Sequence, residues 1–380
     1  MRSRGWNPAL MWLAFAALMA LSPARAAAQA PPGALPPRPG AVIQKAPEQN
    51  TIHVKVEIVN APVVVLDAKG EMVVDLNQKD FKIFDNGVEQ KIDHFDMGGD
   101  PLSIVLLVEN SARVVALLPA IRKAGVVFSQ AVLGESGRGA VIAFGGDVTV
   151  AQEFTKNHDQ IEKVIGKLED DGDPDTKLYD AIAGAETLLH DEPAGRRRVI
   201  VAMTESLDRG STNKLGMLLR TAQLDNITIY TVGLSSTAAA LRAPADNGGA
   251  PSNGQIGVPV TPGDPNSPIV PGVGPGMQAP GIDFIALGIW AIQKGVDVAH
   301  AHALEVATLA TGGEHLAASR DRGIEQGLDR IGGELHAEYT LGYHPADVPD
   351  SGYHEIKVVV DRPKTTVRTR PGYYLPPEDN

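Results

Sequence analysis

Pro101-Leu-Ser-Ile-Val-Leu-Leu-Val-Glu-Asn-Ser-Ala-Arg113 is the stretch on which the fold turns. From Ile104 to Val108 it is an unbroken run of Ile, Val and Leu. Such a run reads as a strand buried on both faces, as in a parallel sheet. It stops at Glu109-Asn-Ser-Ala-Arg113, and helical spacing follows. A carboxylate and a hydroxyl therefore stand at the carboxyl end of a central strand, the edge at which open α/β sheets bind ligands.

Outward from this strand, helices and strands alternate. Val114 to Val132 has apolar residues at helical spacing. Gly139 to Phe144 reads as a strand, with Val148 to Val150 as a short edge partner. His158 to Leu168 is helical, and an acidic loop, Glu169 to Asp175, leads through Thr176 to a helix from Leu178 to His190. The buried run Val199 to Met203 ends in Thr204-Glu-Ser206. A helix from Lys214 to Gln223, a strand from Ile227 to Val232, a helix from Val298 to Thr311, a strand from His315 to Ala318 and a helix from Arg322 to Leu335 complete the series. The rhythm predicts a doubly wound, mostly parallel α/β (Rossmann-like) sheet over residues 99–335. Phe284 to Ile292 is apolar and short and fits either class of element. Residues 235–281 are dense in Pro, Gly, Asn and Ala and nearly free of charge, which predicts a disordered insertion at a loop tip.

The two flanks of this region are strand-like. In residues 51–98, His53 to Val59 alternates, Val63–Leu66 and Met72–Val74 read as one hairpin, and Phe81–Phe84 and Val88–Ile92 flank the turn Asp85-Asn-Gly87 as another. In residues 336–376, Ala337–Tyr343, Tyr353–Val360 and Thr365–Thr369 have the same character. The simplest architecture pairs them in a small antiparallel β domain built from both chain ends, with the α/β domain inserted between.

The first 28 residues have a basic start, an apolar run from Ala9 to Leu21 and small residues after Pro23, the pattern of a signal peptide. Residues 29–50, rich in Pro and Ala, read as a disordered linker. These features predict an exported protein of the periplasm, the cell envelope or the exterior, with no stable membrane span once the leader is cleaved. The chain of 380 residues carries a net charge of −12 and no cysteine. Loss of Arg2, Arg4 and Arg25 with the leader makes it three charges more negative. An acidic surface argues against nucleic acid as a partner, since phosphate binding needs a basic face. Without disulfides, core burial must hold the fold.

Three segments together resemble the metal-binding loops of von Willebrand factor type A (VWA) domains. The first is Glu109-x-Ser111-x-Arg113, against Asp-x-Ser-x-Ser in the family. The second is Thr176 ahead of Leu178-Tyr-Asp-Ala-Ile182, and the third is Met203-Thr-Glu-Ser206, where the family usually has Asp-Gly. The flanks, Asp80-Phe-Lys-Ile-Phe-Asp-Asn-Gly87, Tyr339-Thr-Leu-Gly-Tyr-His-Pro345 and Val367-Arg-Thr-Arg-Pro-Gly-Tyr-Tyr374, resemble a narrower group, the secreted VWA-related proteins of the acidobacterial type.

The resemblance implies a metal-ion-dependent adhesion site, in which Mg²⁺ takes hydroxyl and carboxylate oxygens from three loops and leaves one position for a partner's carboxylate. Carried onto this chain, the set is Glu109, Ser111, Thr176 and Glu205, with Arg113 at the remaining position. Both Asp positions are Glu, and Arg113 has no lone pair to give. A unit charge about 4 Å from a divalent ion is repelled by roughly 8 kcal/mol at an effective dielectric near 20. Two readings stand: a degenerate site whose metal is replaced by an ion pair of Arg113 with Glu109 or Glu205, and a weak Mg²⁺ site with Arg113 swung into water. The first implies no cofactor.

Other clusters carry less. Asp171, Asp173 and Asp175 lack the spacing of a calcium loop and read as a solvated acidic turn. His300 and His302 sit two apart, which on a helix does not share a face. Arg196-Arg-Arg198 reads as solvated surface. The favoured function is a non-enzymatic protein that mediates protein–protein interaction or adhesion through the degenerate site, with an unidentified protein partner. The alternatives are a structural envelope component with an inert site, and an envelope hydrolase using Ser111 or Ser206, for which no His is spaced as a base.

Overall fold

In the computed structural model, Leu102–Glu109 (β5, counting strands from the N-terminus) is buried at all eight positions. The structure describes residues 58–193, 195–205, 208–234, 284–294, 303–318, 321–345 and 352–375. The leader, the linker, the 235–281 insertion, His53 to Glu57, and His300 and His302 lie outside the described residues.

β5 is buried because both its edges are paired and both its faces are covered. Arg138–Phe144 (β6) and Arg197–Thr204 (β8) run parallel to it on either side. Ile227–Leu234 (β9) pairs with β8, and His315–Ala318 (β10) with β9, again in parallel. Val148–Thr155 (β7) closes the other edge antiparallel to β6, giving the order β10-β9-β8-β5-β6-β7. β7 is longer than the short partner expected at Val148–Val150, because its pairing with β6 continues past register shifts to Gly139 and Thr155.

Side chains alternate across β5 as strand geometry requires. Ile104, Leu106 and Val108 join one apolar layer with Leu118–Val127 (α1), His158–Ile165 (α2) and Asp321–Leu335 (α7). Val105 and Leu107 join the opposite layer with Leu178–His190 (α3), Leu215–Leu224 (α4), Phe284–Lys294 (α5) and Ala303–Thr311 (α6). The doubly wound, mostly parallel sheet is the fold class that the strand–helix rhythm predicts. Each fully buried Leu or Ile in these layers contributes about 1.5–3 kcal/mol of transfer free energy. The apolar stretch at Phe284 is a helix, packed against α4 and α6.

The helical run expected from Val114 to Val132 is broken at both ends. Pro119 stands at the second position of α1, where a missing N–H costs nothing. After Val127 the chain widens by one residue, and the Leu133 N–H reaches the Phe128 carbonyl at 3.1 Å. α7 comes so close here that a Cβ on Gly332 would lie 2.4 Å from the Ala131 carbonyl oxygen.

Two four-stranded antiparallel sheets take strands from both ends of the chain. Val59–Leu66 (β1) lies between Tyr339–Tyr343 (β11) and Thr366–Thr369 (β13), with His94–Met97 (β4) beyond β11. Phe81–Asp85 (β2) lies between Val88–Gln90 (β3) and Gly352–Val360 (β12), with Gly372–Leu375 (β14) beyond β12. Val63, Ile83, Tyr339, Leu341, Tyr343 and Ile356 belong to their shared core. Asn86 and Gly87 turn with φ of 46° and 83°, the left-handed pair that a two-residue hairpin wants. Asp85 binds the ends together: its Oδ2 accepts the hydroxyls of Tyr343 at 2.9 Å and Tyr373 at 2.8 Å, and its Oδ1 faces His354 Nδ1 at 3.1 Å.

The hairpin expected at Met72–Val74 does not form as two strands. Asp67 takes the Lys69 and Glu71 N–H groups on its side chain at 2.8 and 2.9 Å, and the return leg is reduced to a bridge from Met72 to Leu66. Among the described residues, no helix is long and apolar enough to cross a membrane.

Candidate functional site: an ion pair at the carboxyl rim of the sheet

Glu109 is the last residue of β5, and none of its surface is exposed. The Ser111 hydroxyl donates to its Oε1 at 2.6 Å. The Thr204 hydroxyl and the Glu205 N–H both donate to its Oε2 at 2.7 Å. One carboxylate thus ties the end of β5 to the end of β8. Burial pushes its pKa up, the three donors oppose that, and the nearby Glu205 charge adds to it.

Arg113 turns inward from the same loop. Its Nε and Nη2 both donate to Glu205 Oε2, at 3.0 and 2.8 Å. The Arg113 side chain is 24% exposed and that of Glu205 8%, so the pair sits at the rim with one partner largely covered. Arg113 N–H also meets the Ser111 oxygen at 3.3 Å.

Thr176 is buried, and its backbone pairs with Arg209, N to O at 3.2 Å and O to N at 2.7 Å. The loop before it is fastened to the β5 loop, with Asp171 N–H on the Asn110 carbonyl at 3.0 Å and Ala112 N–H on the Asp173 carbonyl at 2.9 Å. The loops carrying Glu109, Thr176 and Glu205 are therefore laced to one another. Lys177 N–H adds the β6–β7 turn through the Gly145 carbonyl at 2.9 Å.

The acidic loop is more than a solvated turn. Asp171 Oδ2 accepts Gly146 N–H at 2.8 Å, its Oδ1 accepts Asp173 N–H at 3.0 Å, and Asp173 Oδ1 accepts Asp175 N–H at 2.9 Å. A Cβ on Gly145 would stand 2.1 Å from Asp171 Oδ2, so the glycine is what lets the two loops touch. These aspartates are engaged by backbone donors.

Two further fasteners carry no motif in the sequence. Asp208 accepts Tyr179 N–H at 3.0 Å and the Ser211 hydroxyl at 2.6 Å, holding the start of α3. Asp180 accepts Thr212 N–H at 3.0 Å and Asn213 N–H at 3.0 Å. An Asp before or inside a helix start is the only signal the sequence offers for either. Ser206 lies outside the described residues.

The donor set, as arranged, does not fit a hard divalent cation. Mg²⁺ asks for near-octahedral oxygens free to face it. Both Glu109 oxygens already hold donors, and the free pull of Glu205 is spent on a guanidinium.

A mostly parallel sheet wound on both sides, with hydroxyl and carboxylate loops meeting at its carboxyl rim, defines a class of doubly wound α/β domains. Residues 104–207 match the family model of the von Willebrand factor type A domain, and the chain carries such a domain. The match begins inside β5 and takes in all three loops. No curated protein matches by sequence. Among solved structures, the VWA domain of SpRpn10 is similar at 16% identity and a TM-score of 0.30, covering 37% of this chain and 78% of its own. An aerotolerance-related membrane protein from Bacteroides fragilis is similar at 12% identity and a TM-score of 0.38, covering 61% and 99%. BatB from Bacteroides thetaiotaomicron is similar at 13% identity and a TM-score of 0.35, covering 60% and 98%. All three TM-scores lie below 0.5, so the assignment stands on the family match and the geometry.

Proposed function

We propose that the chain is an exported, non-enzymatic interaction protein whose VWA rim docks a protein partner, with the Arg113–Glu205 ion pair standing where the family holds a metal ion. The observation that carries this reading is the double contact of Arg113 Nε and Nη2 with one oxygen of Glu205 beside a Glu109 whose two oxygens are both engaged. A guanidinium presents planar donors that suit a carboxylate. Arg113 is 24% exposed, which leaves it able to offer donors to an acidic side chain of the partner without a bridging ion. The basic, apolar and small-residue pattern of the first 28 residues supports export. Ser111 is fully buried with its hydroxyl on Glu109, a poor setting for a nucleophile, which favours binding over hydrolysis.

The test is capture from the envelope fraction of the source cells on immobilised protein, wild type beside a Glu109→Gln, Thr176→Ala, Glu205→Gln variant. The expected result is a partner retained by wild type in the presence of EDTA and lost with the variant. Equal capture by both proteins would assign the chain to the envelope scaffold with an inert rim.

A further inference from the structure

A cleft of about 680 Å³ opens at the opposite edge of the sheet, where β8 and β9 begin and β1 and β11 pass over them. It is lined by three polar side chains whose bonding is incomplete. Arg370 is only 4% exposed, yet its buried Nε has no hydrogen-bond partner, and among the described residues no carboxylate pairs with it. Its guanidinium lies over the Tyr373 ring, 5.9 Å from the centroid. Burial draws its pKa down to about 10, as expected of a cation without a counter-charge.

Arg198 meets only backbone: Nη1 donates to the Asp225 carbonyl at 3.0 Å, Nη2 to the Glu192 carbonyl at 3.0 Å, and its buried Nε has no partner. The Thr340 hydroxyl is also buried and unpartnered. The acids lining the cleft are committed elsewhere. Asp225 faces His190 at 3.0 Å, Asp93 faces Lys91 and His344 at 2.9 Å, and Asp100 faces His94 at 3.8 Å.

Buried polar groups are nearly always satisfied, and a buried charge left without its counter-charge is among the costlier defects a fold can hold. One such guanidinium, Arg370, with the half-buried Arg198 and the buried Thr340 hydroxyl lining the same opening, describes a receptor for an oxyanion. The cleft's size is that of a small-molecule site, and Ile58, Pro62 and Ile227 supply an apolar wall. We propose that this cleft binds a small organic anion, its carboxylate or phosphate on Arg370 and Arg198 with Thr340 donating a hydroxyl, and its apolar body against Ile58, Pro62 and Ile227. The site is independent of the adhesion rim, and neither reading rests on the other.

The experiment is calorimetric titration of the full exported chain with phenyl phosphate, benzoate and inorganic phosphate at fixed ionic strength. The first two probes distinguish a phosphate from a carboxylate head, and the third lacks the apolar body. Saturable binding of phenyl phosphate or benzoate is expected, tighter than inorganic phosphate. It should weaken about tenfold or more in Arg370→Gln, where charge-assisted hydrogen bonds are lost. Thermal melts of the variant serve as control; removal of an unpaired buried charge should leave it folded. Should Arg370→Gln fail to fold, Thr340→Val and Arg198→Gln take its place, with the same weakening expected. Absence of saturation by all three probes, or affinity unchanged in the folded variants, overturns the proposal.

Discussion

Arg113 places two guanidinium N–H groups on a single oxygen of Glu205, 92 residues further along the chain, at 3.0 and 2.8 Å. The pair joins the loop after β5 to the loop after β8, and it does so where the family's motif would carry Ser and Asp. On the reading proposed for the rim, the two departures compensate each other: the longer acid reaches the cation that stands in place of the hydroxyl.

A double-mutant cycle measures that compensation. Arg113 is 24% exposed, so its pair lies nearer the surface regime than the buried one. Arg113→Met and Glu205→Gln should each lower stability by about 1 kcal/mol, with a coupling energy of about 1 kcal/mol between them. Urea denaturation of the four proteins gives the values. Additive losses would mean that the contact contributes nothing to the folded state.

Glu186, on α3, is buried, and burial first and the Asp225 charge second push its pKa up to about 9. The sign follows from proton linkage. Between the ordinary value of 4.5 and about 9 the folded chain holds a proton that the unfolded chain has lost. Stability from this group is full below that window and is lost as pH rises through it, with a limiting slope of about 1.4 kcal/mol per pH unit. Urea midpoints measured from pH 6 to pH 9 should fall in wild type and stay nearly level in Glu186→Gln. Parallel curves for the two proteins would refute the assignment.

Asp85 joins the two chain ends through Tyr343, Tyr373 and His354. Asp85→Ala strands two buried hydroxyls and should cost about 3 kcal/mol or more, whereas Tyr343→Phe should cost about 1 kcal/mol. Thermal melts rank the two. A larger loss for Tyr343→Phe, which keeps the ring and removes only the hydroxyl, would show that the Asp85 carboxylate is not the group that holds this corner.

Much of this architecture is legible locally. The Ile104–Val108 run can only be a two-sided strand, and Asn86-Gly87 can only be a tight turn of left-handed residues. The ionic character of the rim was legible in kind, because a cation stood among carboxylates, but the choice of Glu205 over Glu109 depended on Thr204 and Ser111 filling Glu109 first. What could not be read are contacts made at long range. Arg196, Arg197 and Arg198, expected in solvent, are half-buried: Arg196 bonds Ser103 Oγ at 2.7 Å, Arg197 bonds the Leu335 carbonyl at 2.8 Å and pairs with Glu338, and Arg198 lies on backbone carbonyls. Apart from the Glu192 and His190 carbonyls near Arg198, those partners lie far away in the sequence, at Ser103, Asp225, Leu335 and Glu338. The Met72–Val74 hairpin failed for the opposite reason, a local one, since the Asp67 side chain took the N–H groups of the turn.

The most direct measurement is calorimetric Mg²⁺ titration of wild type beside Arg113→Ser, which restores the hydroxyl of the family's motif. With the guanidinium already occupying Glu205, wild type should show no saturable Mg²⁺ binding, and Arg113→Ser should gain it together with a rise in melting temperature on adding Mg²⁺. Saturable Mg²⁺ binding by the wild-type protein would contradict the replacement of the metal by an ion pair.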